Sequence, residues 1–435
     1  MMHNPSKRLL LLAGKLGYQT RSFADAGRNL GVEVVLATDR CHQLEDPWAD
    51  GALSVAFASP AEAAEQIVAQ TRARPVHGVL ALGDRPTVAG AMAARALGLP
   101  GNSPEAVQNC RSKLRQREVL GAAGLPIPTF FGFRRNADLS RILPRVKFPC
   151  VVKPWSLSAS QGVIRANTPE EFAGAVWRIG ALLESPEVRS TREPDLDRLL
   201  VEEYIPGREV ALEGLLDGGR VRTLAIFDKP DPLEGPYFEE TIYVTPTRLP
   251  AETHRAIRET ALLATAALGL THGPVHAEFR INSKGVWPLE LAPRPIGGLC
   301  ARALRFGPGK MSLEELLVRD ALGLPGSDAE REETAAGVMM IPVPQSGVLE
   351  GVEGLDSARA TQWIEDIVIT ARLRDAIMAW PEGSSYLGFI FARGLSNLAV
   401  EAALREAHSR LRFFISDRLR VEHPVTGRMP LVRSE

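Results

Sequence analysis

The 435-residue chain is poor in cysteine, in aromatic residues and in net charge. Its four cysteines (Cys41, Cys110, Cys150 and Cys300) stand far apart, with no CxxC pair and no metal-type histidine spacing around them. That excludes a disulfide framework or a zinc module and fits a reducing compartment. Lys plus Arg is 51 against 52 Asp plus Glu, a formal charge of −1, so there is no general hold on nucleic acid or an anionic membrane. No stretch approaches the ~18 apolar residues of a membrane span. The start, MMHNPSKRLLLLAGKLG, sets two basic residues before Leu9–Ala13, as a secretion signal would. The apolar run is too short for one, and Gly14-Lys15 stands where a cleavage site belongs, so it reads as a first buried strand. These absences predict a cytoplasmic protein that binds neither nucleic acid nor membrane. No repeat or low-complexity tract interrupts it.

What is present is ordinary globular material, 45% hydrophobic, 24% charged and 6% aromatic. The first hundred residues alternate strands (Leu9–Ala13, Val32–Thr38, Val76–Leu82) with helices (Gln19–Leu30, Pro60–Arg72, Thr87–Leu97). That order predicts βαβ units on a parallel sheet. Ligands of such sheets bind at the strands' carboxyl ends, where Gly14-Lys15 and Gly83-Asp84 lie. No glycine stands five residues before Gly14 and Leu16 replaces Ser/Thr, so this is not a Walker loop. No G-x-G-x-x-G follows the first strand either, which weakens a dehydrogenase reading.

From Asn102 the pattern changes. Ser103 caps a helix to Cys110, Ser112–Ala123 is another, and Pro126 and Pro128 mark an extended linker. Strands follow at Cys150–Lys153 and Val163–Ala166, then a charged stretch, Ser185–Arg198, expected to be an exposed loop. Leu199–Tyr204, Glu209–Leu216 and Arg220–Phe227 read as an antiparallel meander. After the helix Glu252–Leu268, two strands flank Asn282–Gly285. Beyond about Asp328 the chain reads as a separate α+β lobe running from Val338–Val343 to the helix Ser396–Ile415. The expected domains are 1–101, 102–327 (small lobe about 125–200, large lobe about 201–327) and 328–435.

Three segments carry chemistry. In VVKPWSLSASQGV, Lys153 closes a strand, and Ser156, Ser158, Ser160 and Gly162 form a loop whose N–H groups and hydroxyls can wrap a polyphosphate. A plain serine-rich hairpin is the alternative. In VEEYIPGRE, a strand running into a Pro-Gly turn could lie along a nucleoside, or be a solvated edge strand. In HAEFRI and VWPLEL, His276, Glu278 and Arg280 share one face and Ala277, Phe279 and Ile281 the other. Matching the apolar faces pairs Ala277 with Leu289 and Phe279 with Trp287, through an odd-numbered loop with a Gly285 bulge. That register puts Glu278 and Glu290 on one face, a pair of hard oxygen ligands suited to Mg²⁺, with Arg294 just beyond.

In this order the segments resemble the ATP-grasp superfamily, over Asn102 to about Leu324. The text GPVHAEFR…ELAPRPIGG and the tail GVMMIPVPQSGVLEGVEGL…GFIFARG are similar to bacterial L-amino acid ligases. The resemblance implies a multidomain α/β and α+β protein: an ATP-grasp fold with an N-terminal Rossmann-like βαβ domain and a C-terminal α+β lobe. It implies that Lys113 and Lys153 hold the ATP phosphates under a mobile loop carrying Ser156, Ser158, Ser160 and Gly162. Glu202, with the backbone of Glu203, Tyr204 and Ile205, would read adenine, and Glu209 would hold the ribose. Glu278 and Glu290 would ligate Mg²⁺, with Mn²⁺ as a substitute; Arg294 would stabilise the transferring phosphoryl group, and His276 would contact the acyl group or its phosphate. By position Asp228, Lys229 and Glu240 resemble the ligases' substrate-facing loop, an exposed turn being the alternative. Many relatives have an asparagine two residues after the second glutamate; Ala292 stands there, as it can in amino acid ligases.

The implied activity is ATP-dependent carboxylate–amine ligation through an acyl phosphate. The partners would be ATP and small carboxylate and amine substrates, amino acids first among them, and the assembly a homodimer. Alternatives are another ATP-grasp ligase or carboxylase, for example of purine metabolism, or a non-catalytic nucleotide-binding protein.

Overall fold

Four consecutive leucines, Leu9–Leu12, are wholly buried, as expected of a parallel strand covered on both faces. In the computed structural model, which describes residues 7–14, 17–39 and 52–416, this strand (Arg8–Ala13) lies between Glu33–Thr38 and Gly78–Leu82, with parallel pairing on each side. Leu53–Ser54 adds a short edge strand. The predicted helices follow at Tyr18–Leu30, Pro60–Thr71 and Thr87–Ala96. Lys15 and Cys41 lie outside the described residues. Ser103 and Ser112 accept from backbone N–H groups three residues on, capping the helices Pro104–Arg111 and Lys113–Ala122.

Two antiparallel sheets face the site. The smaller runs in the order Phe130–Arg134, Arg198–Glu203, Cys150–Pro154, Ile164–Ala166 and is covered by the helix Pro169–Glu184. Phe172, Ile179 and Leu183 of that helix pack on Cys150, Val152 and Leu199. The larger sheet has eight strands, in the order Gly285–Ala292, Gly273–Asn282, Arg208–Asp217, Arg220–Asp228, Ile242–Thr245, Ala335–Ile341, Gly388–Gly394, Ile364–Ile369. Helix Ala251–Leu268 seals one end of it, burying Ile257, Ala264 and Leu268 against Val210, Phe279 and Leu291. Helix Asn397–Ser409 seals the other, with Val400 and Leu404 against Val244 and Met339.

Two expectations are corrected. The predicted meander is broken: Arg198–Glu203 belongs to the small sheet, and only Arg208–Asp217 and Arg220–Asp228 pair as a hairpin. The C-terminal part, expected as an α+β lobe, sets its strand Ala335–Ile341 beside Ile242–Thr245 and so extends the large sheet. The stretch 185–198 is not merely an exposed loop. It contains the short helix Pro186–Ser190, and Glu193 turns inward to ion pairs with Arg85 and Arg111. A glutamate between Arg192 and Pro194 gave no sign that its partners lay 108 and 82 positions earlier.

Candidate active site

The strand pair Gly273–Asn282 and Gly285–Ala292 is joined by a two-residue turn, so the odd loop expected from apolar matching is absent. Asn282 opposes Gly285 and Phe279 opposes Pro288; a bulge then shifts the register so that Glu278 lies directly opposite Glu290. The shared face was predicted correctly, but Leu289 supplies the extra residue within the strand. The buried partners of Ala277 and Phe279 are Val286 and Leu291; Trp287 and Leu289 are only half-buried. Directly opposed residues of an antiparallel pair have Cβ atoms ~5 Å apart, so the two carboxylates would repel without a cation.

That face forms one wall of a cavity of about 290 Å³, which the small sheet and the βαβ unit complete. Lys113, Lys153, Ser158, Ser160, Glu202, Glu203, Tyr204, Ile205, Glu209, His276, Glu278, Glu290 and Arg294 all line it. Ser156 lies in the small recess next door with Lys113 and Glu290. Gly162 closes the loop at φ +70°, where a Cβ would sit 3.1 Å from Leu182 Cδ2. The predicted residues therefore converge.

The cations are held by partners. Lys113 Nζ meets Glu290 Oε2 at 3.0 Å and donates to the Leu157 carbonyl at 2.9 Å, bridging the hairpin carboxylate and the serine-rich loop. Arg294 donates to both Asp84 oxygens, at 2.7 and 3.4 Å. Burial would raise the Asp84 pKa, but Arg294, with Lys113 and Arg111, takes it down to about 2. His276 opposes Glu213 on the neighbouring strand, and Nδ1 binds that carboxylate. Burial would lower the imidazole pKa; Glu213 and Glu278 more than reverse this and lift it to about 9. The two carboxylates thus favour the protonated imidazole.

Two acids have partners that the sequence did not suggest. Glu202 is 5% exposed on an inner strand, not a solvated edge. Its oxygens meet Arg117 Nε at 2.8 Å and Lys153 Nζ at 2.7 Å, so it positions Lys153. Burial and the charges of Arg117 and Lys113 bring the Lys153 pKa down to about 8 despite Glu202. Glu209 meets Lys229 Nζ at 2.7 Å and Arg280 Nε at 3.0 Å, so a ribose would have to share it with two cations. Along the connecting stretch, Glu203 N–H donates to Thr129 O and Tyr204 N–H to Pro149 O. Arg165 and Arg280 flank the Tyr204 ring at 4.0 and 5.1 Å from its centre.

Asp228, Lys229 and Glu240 do not form an exposed turn. Asp228 and Lys229 are 0% and 5% exposed. Lys229 Nζ lies among Glu209, Glu240 and Glu278, three carboxylates with oxygens within 4.8 Å of one another. That spacing would suit a metal ion, but an ammonium already holds the position, and the three acids raise the Lys229 pKa against its burial. Glu278 and Glu290 also face the cavity as directly opposed hard oxygen donors of the kind that could hold Mg²⁺, Glu278 with one oxygen on Lys229 and Glu290 with one on Lys113. Tyr18, Tyr243, Met340 and Tyr386 also line the cavity.

Residues 146–303 match the ATP-grasp domain model, 24–101 the ATP-grasp N-terminal domain and 339–416 the L-amino acid ligase C-terminal domain 2. The chain is an ATP-grasp protein. The crystal structure of L-amino acid ligase from Bacillus licheniformis superposes on it with a TM-score of 0.77 and 27% identity, covering 94% of this chain and 99% of that one. Phosphoribosylglycinamide synthetase from Anaerococcus prevotii, at 0.67 and 18% over 94% of this chain and all of the other, shares the fold. Among curated relatives, alanine–anticapsin ligase of Bacillus subtilis (strain 168) is 27% identical over 44% of this chain and 42% of its own. Carnosine synthase 1 of Gallus gallus is 30% identical over 68% of this chain and 33% of its own. The chain spans from a third to just under two thirds of the length of the first such relatives. Among the described residues no helix is long and apolar enough to cross a membrane.

Sequence reasoning passed over Arg117, Glu213 and the pairing of Asp84 with Arg294. Arg117 had one signal, its i,i+4 spacing from Lys113, which places both on one helix face. Asp84 was noted only as a strand-end residue. Its substitution should weaken the ATP-grasp site's hold on Arg294: Asp84→Asn is expected to lower kcat about tenfold, the effect of losing one charge-assisted hydrogen bond. Steady-state ADP formation checks it.

Proposed function

We propose that the chain is an ATP-dependent carboxylate–amine ligase that forms an amide or dipeptide bond from amino acids and releases ADP and phosphate. The observation that carries this reading is a single cavity lined both by the basic cluster Lys113, Lys153, His276 and Arg294 and by Tyr18, Tyr243, Met340 and Tyr386, so that all three parts of the chain contribute to it. Similarity to the L-amino acid ligase structure along nearly its whole length supports it.

ATP would lie with its base along Glu203–Ile205 and its phosphates toward Lys113, Lys153 and the serine loop. A substrate carboxylate attacks the γ-phosphorus, giving an acyl phosphate and ADP; an amine then attacks the acyl carbon, and phosphate leaves. The protein needs no nucleophile of its own, only in-line positioning and charge neutralisation. Arg294, fixed by Asp84, and the imidazolium of His276, fixed by Glu213, would face the charge that develops. Glu278 and Glu290 would hold Mg²⁺, which when bound neutralises phosphate charge. The loop Pro154–Gly162 would keep water from the acyl phosphate.

The test is ADP release from Mg-ATP across a matrix of paired amino acids, with mass spectrometry of each positive reaction. ADP with phosphate and a dipeptide mass is the expected result. ADP driven by bicarbonate or a ribonucleotide, but by no amino acid, would move the chain to the carboxylase branch. AMP with pyrophosphate would overturn the acyl-phosphate route.

A further inference from the structure

The serine-rich loop is gripped from an unexpected direction. Ala159 and Ser160 both have left-handed backbones, with φ of 56° and 54°, a conformation that side-chain-bearing residues hold only when their surroundings enforce it. The enforcing contacts come from the C-terminal part of the chain. Trp380 Nε1 donates to the Ala159 carbonyl at 3.2 Å, Gly162 N–H donates to the Pro381 carbonyl at 2.8 Å, and Gln161 Nε2 donates to the Glu382 carbonyl at 2.7 Å. The strained pair is thus bracketed by bonds to three consecutive residues. Glu382 is fixed in turn to the small lobe, where Arg178 forks onto both its carboxylate oxygens.

We propose that Trp380–Glu382 is a latch that holds the phosphate loop closed over the nucleotide, with Trp380 and Gln161 as its positioning residues. It rests on the reading of the cavity as an ATP site. The latch also touches the cavity wall: the Trp380 ring packs at 4.9 Å on Tyr386, and Tyr386 lines the cavity. Loop closure is therefore tied mechanically to that wall. Neither latch residue reaches the reacting atoms; their effect runs through Ala159, Ser160 and Gly162.

The experiment compares the full chain with Trp380→Phe, which keeps the ring and removes the N–H, and Gln161→Leu, which keeps the bulk and removes the amide. Stopped-flow release of a fluorescent ADP analogue, with Mg²⁺ present, is expected to be about five- to tenfold faster in each variant, as loss of one hydrogen bond predicts. In turnover the ratio of ADP to amide should rise severalfold, because an unlatched loop admits water to the acyl phosphate. A purely structural role would leave both readouts unchanged once the variants are shown to be folded. Unchanged release in both folded variants would overturn the latch while leaving the ATP reading standing. Failure of the unaltered chain to bind the analogue would overturn the ATP reading and the latch together.

Discussion

Glu290→Gln is expected to reduce ADP formation by about 10²–10³-fold, the scale seen when one group stabilising transition-state charge is removed, while leaving the protein folded. The amide is isosteric and still accepts from Lys113, but it has lost the charge that a divalent cation needs. The stability cost is small, because the Lys113–Glu290 pair is partly solvated, with Glu290 30% exposed, and such pairs contribute at most about 1 kcal/mol. ADP release measured beside a thermal melt separates the two effects. Near-normal ADP formation by folded Glu290→Gln would remove this residue from the metal site.

The second large effect is on stability. Glu202 neutralises Arg117, which is 1% exposed and also donates to the Pro288 and Leu289 carbonyls, tying the helix Lys113–Ala122 to the hairpin that carries Glu290. Glu202→Leu leaves Arg117 and Lys153 as buried cations without their carboxylate. It is expected to lower the unfolding free energy by about 3–5 kcal/mol, measured by urea titration. A residue whose carboxylate merely read adenine would raise KM for ATP and leave stability alone. The pair also has a pH signature. Burial would raise the Glu202 pKa, but Arg117 and Lys153 bring it down from 4.5 to about 2. Between those values the unfolded chain binds a proton that the folded chain refuses, so this contribution is full above pH 4.5 and is lost as pH falls through 2. In Glu202→Leu that part of the acid dependence should vanish.

The sequence made the βαβ start legible because Leu9–Leu12 and its sister strands are continuous apolar runs broken by helical periodicity. The common face of Glu278 and Glu290 was legible from strand alternation. The bulge at Leu289 was not, since one extra residue inside a strand and one in the loop give the same parity. Glu202 was found, but its role was hidden: what a carboxylate does depends on whether a cation reaches it, and Arg117 lies 85 positions earlier. Lys229 was masked for a related reason. A lysine beside prolines and acids reads as a turn until the fold brings three carboxylates around it.

The eight-stranded sheet has a practical consequence for grafting. Ala335–Ile341 completes the hydrogen bonding of Ile242–Thr245, so cutting the chain near residue 328 would bare an unpaired strand edge and invite self-association. A chimera that borrows from a relative the part of the cavity wall formed here by Met340 and Tyr386 would have to exchange the C-terminal strands together with the face they cover. Substrate choice and solubility would then be inherited as a single block.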